Sequence, residues 1–466
     1  MSAKLPLRIC FGALAVFCLI GLGRCIAIAG LHVPLDPNEG WNAYHALHAM
    51  SGGGLYPPRD SFLFNNYPPL SFYIVGALGS LIGDNIVAGR ILSLLATPGV
   101  AAGIYFATRR MKAGAEVAMF AALLFVSGLL VFTDYAGMDD PQMLGHAVAI
   151  GGLIVLLREP RKNIAIAFAA FLLALAFFIK HNLIALPVAL TLWLVMFDRR
   201  NAILFAAVGI LFGVMELGGF RIAYGVDLFG VLNSARTYSA ALLSEAIGSW
   251  LIWANVALFG LVALLLLRRD DRYVVLCALY AAVAIAVGIV FAGGAGVDMN
   301  IWFDAMIALS LAAALVIDRL PKAAWMQGLI AGACILPLIA GIVLNWEDAW
   351  LERDFWLHPM AAETAMAESD IAFLKAQHGP VACEMLSLCY WAGKPEEIDA
   401  FNLGQAYATH KRSDEALVRL IEAKHYGALE FDSLDDFALT PRAKQVLLNS
   451  YRVDHANDEG VFFVPR

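Results

Sequence analysis

The sequence predicts a mainly α, polytopic membrane helix bundle followed by a small C-terminal α/β domain outside the membrane. Three observations predict it. Hydrophobic residues make up 61% of the 466 positions and charged residues 15%, with a mean hydropathy of +0.71. Soluble domains lie nearer half apolar and a quarter charged. Apolar runs able to cross a bilayer fall near 9–31, 86–108, 115–133, 141–157, 164–180, 183–197, 202–220, 247–267, 273–292, 301–317 and 324–344, eleven in all. The charges are also segregated. Residues 351–466 hold 19 acids and 11 bases, a net of −8, whereas residues 1–350 hold 20 acids and 21 bases. A membrane domain over 1–350 and a soluble domain over 351–466 follow. The junction is expected in the polar stretch 345–354, whose tryptophans suit a membrane–water interface. This composition excludes a cytosolic enzyme, a disordered chain and a nucleic-acid binder, and the net charge of −7 excludes polyanion partners.

The first span opens with Lys4 and Arg8, as a signal peptide does, but it carries Arg24 and lacks a small-residue cleavage site. It reads as an uncleaved span. A twelfth apolar stretch, 67–83, is short and begins Tyr-Pro-Pro. Charge decides its treatment. The clusters Lys4/Arg8, Arg109/Arg110/Lys112, Arg158/Arg161/Lys162, Arg199/Arg200, Arg268/Arg269/Arg272 and Arg319/Lys322 share one side only if 67–83 re-enters or lies at the interface. The positive-inside rule favours that arrangement. It places the N-terminus in the cytoplasm and the C-terminal domain in the periplasm, in an inner-membrane protein.

The outer side then gathers Asp36 and Glu39 in the loop 32–66, Asp134, Asp139 and Asp140 after the third span, and Lys180-His181-Asn182 after the fifth. A further outer loop, 221–245, and Asp298 lie on the same side. Acids at the ends of apolar spans are costly, which turns the set toward function. Within loop 32–66, Asp36 can cap a helix, Pro37 suits its first position, and Glu39 falls in its first turn. The helix should run to about Met50, with Trp41, Ala43, Tyr44, Leu47 and Met50 on one arc. Glu39, Asn42, His45 and His48 form the other arc, so an interfacial amphipathic helix is expected, with Glu39 facing a polar cleft. His45 and His48, three apart, have a spacing that can bind a metal with a nearby carboxylate, and an amphipathic helix explains the same pair without one.

These residues form an ordered series: an acidic pair after the first span, Tyr67-Pro68-Pro69-Leu70, Arg90 in the following helix, Asp139-Asp140-Pro141, and Lys180. Over residues 1–200 the series resembles the GT-C glycosyltransferases, in the branch of the protein O-mannosyltransferases and aminoarabinose transferases. The soluble tail resembles the periplasmic domain of bacterial members. Asn38-Glu39 matches the family's acidic pair with Asn in first place, which leaves Glu39 or Asp36 as the base. Tyr67 stands where the aminoarabinose branch has Lys, which argues against that substrate. Asp140 matches the second acidic motif and Lys180 the later basic residue. The resemblance implies an inverting transfer.

Sugar transfer from a lipid phosphate needs a carboxylate to take the acceptor's proton. It also needs cations or a divalent metal for the departing phosphate. Asp36, Glu39 and Asp140 are the expected catalytic carboxylates. Asp139, Arg90, Lys180, His181 and Tyr67 are the expected substrate contacts. The donor is expected to be a polyprenyl-phosphate-linked sugar, and the acceptor an extracytoplasmic protein, glycolipid or glycan. The alternative is a transporter or lipid-linked sugar flippase, with a non-catalytic assembly subunit as a third reading. Transporters carry broken helices and ionisable groups at the midplane, often within repeats. Here the ionisable residues cluster at outer span ends, with Glu216 and Asp304 as exceptions, each near an outer end but within apolar sequence, and no repeat is evident.

In the tail, helices are expected over 362–377 and 413–425, and strands over 381–385, 426–431 and 461–464. Cys383 and Cys389 suit either two free thiols or, in an oxidising compartment, a disulfide. The tail carries no nucleophile triad, Gly-rich phosphate loop or metal quartet. Acceptor recognition, a lid and plain packing all remain open as its role.

Overall fold

The computed structural model describes residues 5–52, 54–320, 323–344 and 353–466. Lys4, Lys322 and residues 345–352 of the expected junction lie outside the described residues.

The membrane domain contains α1 (Leu5–Ile28), α2 (Pro37–Met50), α3 (Leu70–Ile82), α4 (Asn85–Arg110), α5 (Ala115–Phe132), α6 (Gln142–Arg158) and α7 (Asn163–Ile179). It continues through α8 (Ala185–Phe197), α9 (Arg199–Tyr224), the short α10 (Leu228–Leu232), α11 (Ala240–Leu267), α12 (Arg272–Phe291), α13 (Phe303–Arg319) and α14 (Ala324–Leu344). Each of the eleven expected spans is a helix. Eight are long and apolar enough to cross a membrane; α6, α7 and α8 are shorter apolar helices of 13 to 17 residues. The expected loop 221–245 is shorter than read, because α9 runs on to Tyr224 and α11 begins at Ala240. The centre of the bundle is α13, buried along nearly its whole length and packed against α4, α5, α11, α12 and α14. Ala305, Ala308 and the run Ala312–Ala314 keep its surface low enough for that close approach.

One end of the bundle is basic. Arg8 pairs with Glu116 at 2.7 Å, and Arg319 pairs with Asp271 and donates to the Met111 carbonyl. Trp193 donates to the Arg272 carbonyl, and Asn201 to the Pro160 carbonyl. These ties bring the described parts of all six basic clusters to that end. The C-terminal domain sits at the other end.

Both ends of α3 lie at the domain end. Before its start, Tyr67 packs edge-on against Trp41, which donates to Asp399 of the C-terminal domain. After its end, Gly83 turns the chain in a left-handed conformation (φ 93°) and Asp84 caps α4 while accepting from Trp391. A helix of 13 residues that returns to its own side does not cross, as the charge distribution required.

The C-terminal domain contains α15 (Arg353–Leu357), α16 (Ala361–Ala376), α17 (Leu386–Trp391), α18 (Ala400–Ala408), α19 (Glu415–Glu422) and α20 (Pro441–Ser450). Its strands are β1 (Val381–Cys383), β2 (Ala428–Phe431), β3 (Tyr451–Asn457) and β4 (Gly460–Pro465), in the sheet order β1-β2-β4-β3. The β1–β2 pair is parallel and the others antiparallel. Its core joins Leu403, Leu417, Leu429, Phe431, Leu447 and Phe463. Phe62 and Phe64 of the first outer loop pack against that core, so the domain is built partly on the membrane domain. Cys383 and Cys389 form a disulfide.

Candidate active site

The helix α2 forms as its sequence prescribes. Asp36 caps it by accepting from the Asn38 amide, and Pro37 occupies its first position. Its setting differs from the expected one. Both arcs are buried: Glu39, Asn42 and His45 on the polar one, Trp41, Ala43 and Tyr44 on the apolar one, and only toward the end of the helix are Leu47 and Met50 exposed. The cause is double coverage. On one side lie α3 and α4; on another, α17 sits so close that a Cβ on Gly40 would lie 2.1 Å from the Ser387 amide nitrogen. An interfacial helix with one wet face is therefore not what this segment forms.

Glu39 does not face a cleft. It accepts from Arg90 Nε at 2.7 Å and Nη2 at 2.6 Å, and from the backbone amides of Asp139 and Leu35. Four bonds use the acceptor positions of a carboxylate. Arg90, also fully buried, donates in addition to the carbonyls of Leu31 and Val33. In this arrangement Glu39 has no position left for an acceptor hydroxyl, and Arg90 keeps a single Nη1 N–H beyond its four bonds. The pair instead ties α2 and α4 to the loop before α6.

Asp139 lies beside it, packed on Gly89, where a Cβ would sit 1.7 Å from its Oδ1. Burial, then the charges of Glu39 and Asp140, push the Asp139 carboxyl well above the usual range. Enclosed in this way, Asp139 is a packing group, with no open face for substrate.

The remaining residues do converge. Lys180, at the end of α7, donates to both oxygens of Asp140 at 3.1 and 3.3 Å. Its ammonium stands 3.9 Å from the centre of the Tyr67 ring. Burial opposes the Lys180 charge, but Asp140 and Tyr67 outweigh it and raise the pKa above the usual lysine value. His181 lies 5.5 Å from the Tyr67 ring, and burial together with Lys180 lowers its pKa to about 3, so its imidazole is neutral. Asp140 also accepts from the Gln142 amide, and the Gln142 side chain is bonded to Asn182 and His146. The turn 180–184 and the start of α6 are thereby held together.

Asp36 joins this group through charge. Burial pushes its carboxyl up to about 6, with further repulsion from Asp140, Glu39 and Asp298. One of its oxygens caps α2. A partly accessible carboxyl that titrates near neutrality suits proton transfer.

Sequence reading missed three members of this region. Arg236, in the loop before α11, interacts electrostatically with Tyr67 and Asp399. Asp298 was placed on the outer side but not in the site, although it repels Asp36. Asp399 comes from the far domain. Its place in the outer loop read as 221–245 was the only available signal for Arg236; nothing local marks Asp399.

The histidine pair does not form a metal centre. Both His45 nitrogens face backbone carbonyls, Trp41 at 2.9 Å and Phe64 at 3.0 Å. His48 lies 4.0 Å from Glu396. Among the described residues no group of three or more His, Cys, Asp or Glu side chains is arranged to hold a metal ion.

Fold and site together define a multi-pass membrane helix bundle with a cluster of charged side chains at the end that meets the C-terminal domain. Residues 66–218 match the family described as dolichyl-phosphate-mannose-protein mannosyltransferase. Two structures of ArnT from Cupriavidus metallidurans, one apo and one bound to undecaprenyl phosphate, are similar over nearly the whole chain. Each has a TM-score of 0.65 at 16% identity and covers 97% of this chain; 98% of the bound chain and 97% of the apo chain are matched. An oligosaccharyltransferase from Archaeoglobus fulgidus, tethered to an acceptor peptide, has a TM-score of 0.52 at 11% identity, covering 98% of this chain and 74% of its own. No curated protein matches the chain.

Proposed function

We propose that this protein is an integral-membrane glycosyltransferase that moves a sugar from a polyprenyl-phosphate donor to an extracytoplasmic acceptor. One observation carries the reading. At the domain end of the bundle, the half-buried carboxyl of Asp36, which burial raises to about 6, interacts electrostatically with Asp140, the ion-pair partner of the cation Lys180. The family match over 66–218 and the undecaprenyl phosphate held by the similar ArnT support the donor class. The acceptor peptide of the archaeal enzyme supports a polymeric acceptor. Neither favours transport.

Asp36 takes the proton of the acceptor hydroxyl, whose oxygen attacks the anomeric carbon. The bond from that carbon to the phosphate oxygen breaks, and its electron pair leaves with the lipid phosphate. Attack opposite the leaving group inverts the centre. Lys180, kept charged by Asp140, and Arg236 balance the growing phosphate charge in a site shielded from water. Glu39 with Arg90, and Asp139, fix the frame around them.

Sidedness follows from charge. The basic end of the bundle faces the cytoplasm and the C-terminal domain the periplasm of an inner-membrane protein. The Cys383–Cys389 disulfide supports an oxidising compartment. The division into a membrane domain over 1–350 and a periplasmic domain over 351–466 belongs to the same reading.

Reconstitution with labelled polyprenyl-phosphate sugar tests it. Transfer by the native protein and its loss in Asp36→Asn and Lys180→Met are expected. Ion-coupled flux without transfer would replace this reading with a transporter, and neither activity with any lipid donor would leave an assembly subunit. Mass spectrometry of envelope glycans with and without the protein identifies the sugar and acceptor.

A further inference from the structure

The C-terminal domain reaches the charged cluster through the start of α18. Asp399, nearly fully buried, accepts from the Asn402 amide, from the Asn402 side chain at 2.6 Å and from the Trp41 indole at 3.1 Å. Asn402 turns its side-chain oxygen outward and accepts from Arg236 Nη1 at 2.7 Å. The Arg236 guanidinium lies 5.0 Å from the centre of the Phe401 ring. One turn along α18, the Gln405 side chain accepts both the amide and the hydroxyl of Thr237. On the other flank, Asn66 donates to Ser234 beside Tyr67. The loop 233–239 is thus held between α18 and the segment that carries Tyr67.

Three physical points bear on this arrangement. A buried carboxylate is expensive unless its oxygens are satisfied, and Asp399 meets that need with donors from two domains. Both named Arg236 bonds use Nη1, with the second to the Ala235 carbonyl, so among the described residues Nε and Nη2 carry no hydrogen bond. A guanidinium fixed by one nitrogen and a ring keeps a free fork for an anion. Trp41 links the same carboxylate to the Tyr67 ring at 4.9 Å, and Tyr67 to Lys180 at 3.9 Å.

We infer that the C-terminal domain is a working part of the anion-binding half of the site, with Asp399 and Asn402 as positioning residues that aim Arg236 and seat Trp41 for a lipid phosphate. The inference rests on the glycosyltransferase reading for the identity of the anion, but the clamp itself stands on contacts between α18 and loop 233–239.

The test uses the full chain in nanodiscs with undecaprenyl phosphate as the probe. Asn402→Ala should weaken its binding about tenfold, as loss of one charge-assisted bond predicts. The donor KM should rise by the same factor while kcat changes little. Arg236→Ala should weaken binding at least as much, and the double variant should be no worse than Arg236→Ala alone. Hydrogen exchange over 234–238 should quicken in Asn402→Ala. Additive losses, or unchanged affinity and exchange in Asn402→Ala, overturn the inference. If Asn402→Ala does not fold, Gln405→Ala releases the same loop through Thr237 and is read in the same way. Should the native protein bind no lipid phosphate, the glycosyltransferase reading fails, and the exchange measurement alone then decides the clamp. Faster exchange upholds it and unchanged exchange removes it.

Discussion

At the scale of single residues, two kinds of carboxylate share the end of the bundle. Glu39 is saturated and Asp36 is not. As proton acceptor, Asp36 must be ionised, so transfer should fall as pH drops through about 6, the value to which burial raises its carboxyl. Asp36→Asn keeps the helix cap. It should cut kcat by roughly 10²–10⁴-fold and abolish the acidic limb of the pH–rate profile; an unchanged limb would assign the base elsewhere. Stability runs the opposite way. Because the folded carboxyl has a raised pKa, its favourable contribution is present at low pH and is lost as pH climbs past 6. Asp36→Asn should therefore melt higher than the native protein at pH 8 and alike at pH 4. For the buried Arg90–Glu39 pair, Arg90→Met strands a carboxylate and should cost about 3–5 kcal/mol. The double variant Arg90→Met with Glu39→Gln should recover much of that loss in thermal unfolding. A double variant as unstable as the single one would contradict a mutual tie.

At the scale of elements, α2 is the piece to watch. Its cap, first turn and length were legible in Asp36-Pro37-Asn38-Glu39, because those signals are local. Its burial was not. The amphipathic reading assumed that a polar arc meets water, whereas Asn42 donates to the Asp139 carbonyl and His45 lies against the Trp41 and Phe64 carbonyls. Such partners come from loops distant in sequence, and periodicity carries no trace of them. In the same way the helices over 362–377 and 413–425 were readable from apolar spacing. The helix α17, six residues long, and the mostly exposed β3 were not. Gly40 supplies the test at this scale. Gly40→Val should push α17 off α2, since no Cβ fits 2.1 Å from the Ser387 amide nitrogen. Limited proteolysis should then cut within 353–466 faster than in the native protein, and equal rates would mean that this contact does not seat the domain. The disulfide closes a short loop between β1 and α17, six residues apart. Replacing both cysteines with serine should lower stability by about 2 kcal/mol, measured as a fall in melting temperature that reductant reproduces on the native chain alone.

At the scale of the whole molecule, the gathering of the basic clusters at one end of the bundle predicts sidedness. Single cysteines introduced near Arg110 and near Asp432 should react with a membrane-impermeant thiol reagent from opposite faces of sealed vesicles. Each labelled from the face opposite to the expected one would invert the orientation, and labelling of both from one face would contradict the placement of the two ends on opposite sides. The fold class was legible because a bilayer imposes its own length scale on apolar runs. The site was half legible. Asp140, Lys180, His181 and Tyr67 do assemble, but Asp399, and Asn402 on which Arg236 rests, come from a domain whose docking no local pattern encodes.

That docking also bears on biosynthesis. Trp41 emerges from the ribosome early, and its partner Asp399 follows 358 residues later. The loop around Ser61 and Phe62 likewise waits for Arg412 and the Asp399 amide. A nascent chain can insert its first helices while Trp41 and the loop still wait for residues 399–412 to be made. Prematurely terminated products should accordingly enter the bilayer with both joints unmade.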